Sequence, residues 1–207
     1  MKPSAGQATT LDRLRENLRQ AVYALGDPPE AEWNFFVQQF EPAAFKKGEF
    51  FLKIGDMASR FAFVARGLFK RCFYTYDGKV FVVSFDPEGR VLSDFSSLIQ
   101  DRPSQVDIEA MEDSVLLVSR LNLGAILRQR HPIWADIGRR IAEIRFVEKA
   151  DREYELLCLD AKQRYLSFLK HSENLLPRIS QKDLAAHLGM TPITLNRIIR
   201  GLDKEIS

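Results

Sequence analysis

Hydrophobic positions change their period twice along the chain. Leu11, Leu14, Leu18, Val22 and Leu25 recur at intervals of three and four, so they share one face of a helix over 11–25, which the Gly-Asp-Pro-Pro run at 26–29 stops. A second helix is expected over 30–40, with Trp33, Phe36, Val37 and Phe40 on one side. Residues 1–10, small and polar, read as a disordered tail. From Phe45 onward short β-forming runs appear at 50–52, 61–64, 69–76 and 80–85, punctuated by glycines at 48, 55, 67, 78 and 89. That rhythm suits short antiparallel strands. Asp77-Gly78 is the strongest hairpin signal, because a tight reversal wants positive φ. A last strand fits 114–119, and strands of this number without intervening helices predict a small barrel or sandwich.

The helical period returns at His131-Pro132. Ile133, Ile137, Ile141, Ile144, Val147, Tyr154 and Leu157 keep a nearly heptad spacing, and Arg139, Arg140, Glu143, Arg145, Glu148 and Lys149 make the other side polar. Such a helix forms a coiled-coil seam or packs on its own barrel. A boundary is expected at Leu159, followed by a helix over 161–170 capped by Asp160, with Tyr165, Leu166 and Leu169 apolar. A polar loop at 171–174 and Pro177 come next.

The segment ISQKDLAAHLGMTPITLNRIIRGL, residues 179–202, carries the most specific pattern. Ser180 is an N-cap, and Asp183 three residues later can complete a capping box. Leu184 and Leu188 give the first helix an apolar face, and small Ala185 lets a second helix approach. Gly189 stands where the chain turns with positive φ. Thr191 is a second N-cap with Pro192 at the first helical position. Leu195, Ile198, Ile199 and Leu202 then face inward. Cap, short helix, glycine turn, cap and second helix make a helix-turn-helix, whose second helix enters the major groove by its N-terminal part. The outward positions are Ile193, Asn196, Arg197 and Arg200. An arginine can donate two bonds to guanine, and an asparagine can bridge adenine. Ser180 and Thr191 can meet phosphates, and Lys182 and Thr194 complete the candidate DNA-binding set. The alternative is a plain helical hairpin inside another fold.

Charge favours the nucleic-acid reading. The net charge is only +2, but from Leu159 onward eight Lys and Arg stand against five Asp and Glu, while the rest of the chain carries 22 against 23. Cys72 and Cys158 form no pair in sequence, which suits a reducing compartment. No apolar run approaches the roughly 20 residues of a membrane span, and the N-terminus has no signal-peptide core.

The order of parts resembles the Crp–Fnr superfamily over essentially the whole chain after residue 30. The matching pieces are KKGEFFLKIGD at 46–56, VARGLFKRCFYTYDGKV at 64–80, DPEGRVLSDFSSLI at 86–99, RPSQVDIEAMEDSVLL at 102–117, the long helix, QRYLSFL at 163–169, and the helix-turn-helix. The resemblance implies an α+β fold with an N-terminal cupin-like antiparallel β-roll over 1–130. A long dimerisation helix over 131–158 and a small helical helix-turn-helix domain over 159–207 follow. It implies a cytoplasmic, homodimeric transcription regulator reading an inverted repeat in double-stranded DNA, with RNA polymerase as a further partner. Arg197 falls on the family's most regular base-reading arginine.

Departures from the family are as informative. The Gly-Glu pair that takes a cyclic nucleotide's ribose falls on Ser93-Asp94, and the Arg-Ser pair that takes its phosphate falls on Ser104-Gln105. Arg102 is near, so the candidate effector pocket is Ser93, Asp94, Arg102, Ser104 and Gln105. No tight binding of cyclic AMP or cyclic GMP is expected there, because a buried phosphate needs a cationic partner. The β-wing that follows this helix in many members is not expected here.

Other functions fit less well. A cupin-type metal enzyme needs histidine and carboxylate ligands in the barrel, yet His131, His171 and His187 all follow the strands. No nucleophile motif, catalytic residue or cofactor site is expected. Two scattered cysteines cannot hold an iron–sulfur cluster. A protein that binds a cyclic nucleotide or another small molecule, with a decayed DNA-binding end, is the alternative function.

Overall fold

The computed structural model describes residues 5–119 and 123–206. Eight strands build the β-roll: β1 (Phe40–Phe45), β2 (Phe50–Leu52), β3 (Ala62–Arg66), β4 (Phe69–Tyr74), β5 (Val80–Asp86), β6 (Val91–Leu92), β7 (Asp107–Ala110) and β8 (Ser114–Ser119). They form two antiparallel sheets, in the orders β1-β8-β3-β6 and β2-β7-β4-β5. Leu52, Ala62, Val64, Phe69, Leu92, Val106, Ile108, Ala110, Leu116 and Val118 fill the space between the sheets. Gly67 joins β3 to β4 at φ 108°, and a Cβ there would lie 2.0 Å from Ser114 Oγ, so both the backbone and the space demand glycine.

Each sheet has a different cover on its outer face. Phe40, Phe63, Ala65 and Leu117 of the first sheet pack under α1 (Ala5–Tyr23), α2 (Glu30–Val37), α4 (Leu123–Arg130) and the first turns of α5 (Ile133–Cys158). Cys72, Val82 and Phe85 of the second, with Leu68 and Met111, pack under the C-terminal helices α6 (Ala161–Ser172), α7 (Gln181–Leu188) and α8 (Pro192–Ile206). A register shift makes that second face. Arg71 opposes Ser84 but Cys72 opposes Val82, so β5 carries an extra residue, and Val82 and Phe85, three apart, share the outer side.

Several expectations need correction. Residues 5–10 of the expected tail belong to α1, and residues 1–4 lie outside the described ones. The second helix ends at Val37, and Phe40 pairs with Ser119 in β1 instead. Pro42 explains this: the residue before a proline is pushed out of the helical region, and an edge strand tolerates the missing N–H. The short strands β6 and β7 and the helices α3 (Phe95–Gln100) and α4 carry too little periodicity to be foreseen. The apolar series of the long helix is not one seam. Ile133, Ile137 and Ile141 pack on the β-roll's own core, whereas Ile144, Val147, Tyr154 and Leu157 are exposed.

Candidate functional site

The helix-turn-helix is assembled by its caps and its tight turn. Ser180 Oγ accepts the Asp183 amide at 3.0 Å and starts α7. Asp183 does not close a capping box: its carboxylate takes the Ser180 hydroxyl at 2.6 Å and Lys70 Nζ of β4 at 3.1 Å. Gly189 ends α7 at φ 66°, and the Met190 amide returns to the Ala185 carbonyl at 3.0 Å. Thr191 caps α8 by accepting the Thr194 amide at 3.1 Å. Ala185 and Leu195 are fully buried where the two helices meet. Arg164 of α6 braces the turn, donating to the Leu188 carbonyl at 2.8 Å and the Leu159 carbonyl at 2.6 Å.

Burial sorts the expected DNA-binding residues. Ile193, at 82% exposure, Arg197 and Arg200 stand exposed at four- and three-residue spacing along one edge of α8, with Asn196 beside them half-buried. Ser180, Lys182 and Thr191 are exposed at the helix starts. Thr194 is half-buried, and its hydroxyl shares a hydrogen bond with that of Thr191 at 3.0 Å, so it serves the cap. Among the described residues, none of Lys182, Arg197 and Arg200 is in an ion pair, whereas Arg178 behind them is held by Glu88 and Glu112.

The expected effector residues come together only in part. Asp94 caps α3, accepting the Ser96 and Ser97 amides at 3.1 and 3.3 Å, and its other oxygen takes the Ser104 hydroxyl at 2.9 Å. The Ser93 hydroxyl donates to the Arg60 carbonyl at 3.1 Å. Gln105 is exposed, and Arg102 is turned to Ser96 Oγ at 3.0 Å. The inward-turned cation here is a different one, the partly buried Arg71 of β4, which donates to the Ser93 carbonyl at 2.7 Å and lies 3.6 Å from the fully buried Asp86. Adjacent Lys70 and Arg71 were the available signal: successive strand residues face opposite sides, and one side of β4 is the barrel interior. Burial pulls Arg71 below the ordinary guanidinium value, against the opposing pull of Asp86. The open groove of about 710 Å³ beside β1 and β2, lined by Pro42, Ala43, Phe45, Phe50 and Phe51, includes none of the five expected pocket residues.

On α5, Val147, Ala150, Tyr154 and Leu157 are exposed at heptad-like spacing on the half of the helix beyond the β-roll core. Among the described residues, no helix is long and apolar enough to cross a membrane.

Comparison with known proteins agrees with this architecture. The cyclic nucleotide-binding domain family matches residues 42–128. The fold is similar to that of FixK2 from Bradyrhizobium japonicum, with a TM-score of 0.69 and 18% identity over 80% of this chain and 85% of that one. It is also similar to the c-di-GMP responsive global regulator CLP of Xanthomonas campestris, with a TM-score of 0.68 and 16% identity over 86% and 93%. A protein of Eubacterium rectale described as a transcriptional regulator of the crp/fnr family gives a TM-score of 0.69 and 17% identity over 86% and 85%. No curated protein matches the chain in sequence. Residues 42–128 thus match the cyclic nucleotide-binding domain family, and the chain has the fold of the Crp/Fnr family regulators.

Proposed function

We propose that the protein is a transcription regulator that binds double-stranded DNA as a homodimer and reads an inverted repeat. One observation carries the reading: Ile193, Arg197 and Arg200 form an exposed edge near the start of α8, and both arginines are free of ion pairs among the described residues. Guanidinium groups presented this way are suited to base edges and phosphates. The unpartnered Val147, Ala150, Tyr154 and Leu157 of α5 supply a seam for a second copy, and two-fold symmetry sets the reading helices about 34–36 Å apart. RNA polymerase is the further partner this role entails.

Selection of bound sequences from random duplex DNA tests the reading, and an inverted repeat is the expected product. Arg197→Ala should lose sequence preference at roughly 1–3 kcal/mol. Arg200→Ala should weaken binding to all sequences and lower the salt slope by about one. Recovery of no preferred sequence, or of a single asymmetric half-site, would sink the proposal. Calorimetric titration should show no tight binding of cyclic AMP or cyclic GMP, since the Ser104 hydroxyl is held by Asp94, the Ser93 hydroxyl by the Arg60 carbonyl, and Arg71 is committed to Asp86.

A further inference from the structure

Asp86 ends β5 on the inner side of the second sheet, with its side chain fully buried. An isolated carboxylate there would be very costly, and three arginines from three places converge on it. Arg71 of β4 lies 3.6 Å away, Arg90 before β6 reaches 3.7 Å, and Arg145 of α5 comes to 3.3 Å; the Ser84 hydroxyl adds a bond at 3.1 Å. Burial pushes the Asp86 carboxyl up, but Arg71, Arg145 and Arg90 together hold it below the usual carboxylate range. Two of the arginines are fixed by carbonyls: Arg71 donates to Ser93 at 2.7 Å and Arg145 to Val91 at 2.8 Å.

The charges also cross between barrel and helix. Barrel Asp86 pairs with helix Arg145. Barrel Arg90 donates to both oxygens of helix Glu148 at 2.7 Å, and Arg145 reaches Glu148 at 3.1 Å. The pairs sit one turn apart on α5, on the side away from the exposed Val147 and Tyr154. Arg90 Nε is buried with no hydrogen-bond partner among the described residues, so the arginine wall has a donor to spare.

We propose that the β-roll carries its own anionic occupant: the Asp86 carboxylate fills an arginine-walled seat beside Ser93 and clamps α5 to the barrel. The same seat, emptied of Asp86, takes a small carboxylate from solution. The clamp holds the mid-portion of α5 without a bound effector. It does not depend on whether the C-terminal helices bind DNA.

The test is chemical rescue of Asp86→Ala. Leaving Arg71 without its anion, and Arg90 and Arg145 with Glu148 alone, should lower the midpoint of thermal unfolding by roughly 10 °C. Formate or acetate at tens of millimolar should raise that midpoint above its value in equal chloride. Wild type should not respond. Nor should Asp86→Asn, whose amide fills the seat without neutralising it. An Asp86→Ala midpoint equal to wild type, or one that formate moves no more than chloride does, would overturn the seat. Should Asp86→Ala fail to fold, Arg145→Met decides the clamp, because it cuts only the helix side. Amides at 141–150 should then exchange roughly tenfold faster while those of β3 and β8 keep their protection. Unchanged exchange in α5 would overturn it.

Discussion

The two sheets of the β-roll are both covered by helices, but the covers are built from different chemistry. Over the first sheet the contact is dominated by aromatic and aliphatic groups. Phe36 stacks on Trp134 at 4.7 Å and meets Phe40 at 4.8 Å, and Leu18, Val22, Leu123 and Leu127 close the gaps. Over the second sheet the apolar contact is ringed by polar groups. His187 of α7 lies between Phe85 and Phe168, at 5.0 and 5.6 Å, with its Nδ1–H donating to the Val82 carbonyl at 3.0 Å. Lys70 reaches Asp183, and Arg178 reaches Glu88 and Glu112. Burial of apolar area is indifferent to pH and persists in salt, whereas ion pairs and a desolvated imidazole respond to both. The first cover belongs to the body of the β-roll. The second is a joint, and it holds the helices that bear the proposed DNA-reading edge.

Deleting a ring from each face should separate the two most strongly. Phe36→Ala should cost roughly 3–5 kcal/mol and lower the unfolding of the β-roll as a unit. Phe168→Ala removes a ring of the same size from the joint. It should leave the β-roll transition in place and bring out an earlier transition from the C-terminal helices. Calorimetry reads both. Equal displacement of a single transition by the two variants would show that the faces do not differ.

Mild acid, between pH 7 and pH 5, should act on the second face through His187. Burial lowers the His187 pKa to about 3, with help from Arg152 and against the Val82 hydrogen bond. The folded value lies below the unfolded one, so between them the unfolded chain binds more protons and stability rises with pH. The contribution is whole above the unfolded value near 6.5 and is lost as pH falls toward 3. From pH 7 to pH 5 this should remove about 1–2 kcal/mol from the joint. His187→Asn keeps a donor for the Val82 carbonyl but cannot titrate, so its stability should be flat across that interval. A wild-type profile as flat as that of His187→Asn would remove His187 from the argument.

Much of this was legible in the sequence, unevenly and for physical reasons. The helix-turn-helix is local: its caps, its glycine and its inward leucines lie within two dozen residues, and Ser180, Gly189, Thr191 and Leu195 act as their positions predict. Asp183 departs because its partner, Lys70, is 113 residues away. The charge cluster at Asp86 is also non-local, with members on β4, β5, the turn before β6 and α5, so no spacing could show it. The long helix was read with the right period, but periodicity cannot tell which half of a stripe meets its own barrel. The N-terminal cover settles that, by drawing in Ile133, Ile137 and Ile141.

The smallest expected effect concerns the rim of the joint. Arg178, in the turn before α7, donates to Glu88 at 3.0 Å from two nitrogens and to Glu112 at 2.6 Å, linking the C-terminal helices to two loops of the β-roll. The hydrogen bonds with Glu112 and Glu88 raise its pKa above the ordinary guanidinium value. The groups are partly exposed, with Glu88 at 43% and Glu112 at 38%, so solvent screens them, and Arg178→Ala should cost only about 0.2–1 kcal/mol. Its signature is therefore salt. At low ionic strength the α7 amides of the variant should exchange faster than those of wild type. Near 1 M salt, where the screening length is roughly 3 Å, the two should converge. Phe36→Ala, on the apolar cover, should keep its full deficit at both salt levels, since that contact has no charge to screen. A salt-independent deficit in Arg178→Ala would mean that the arginine's alkyl stem, and not its charge, holds the rim.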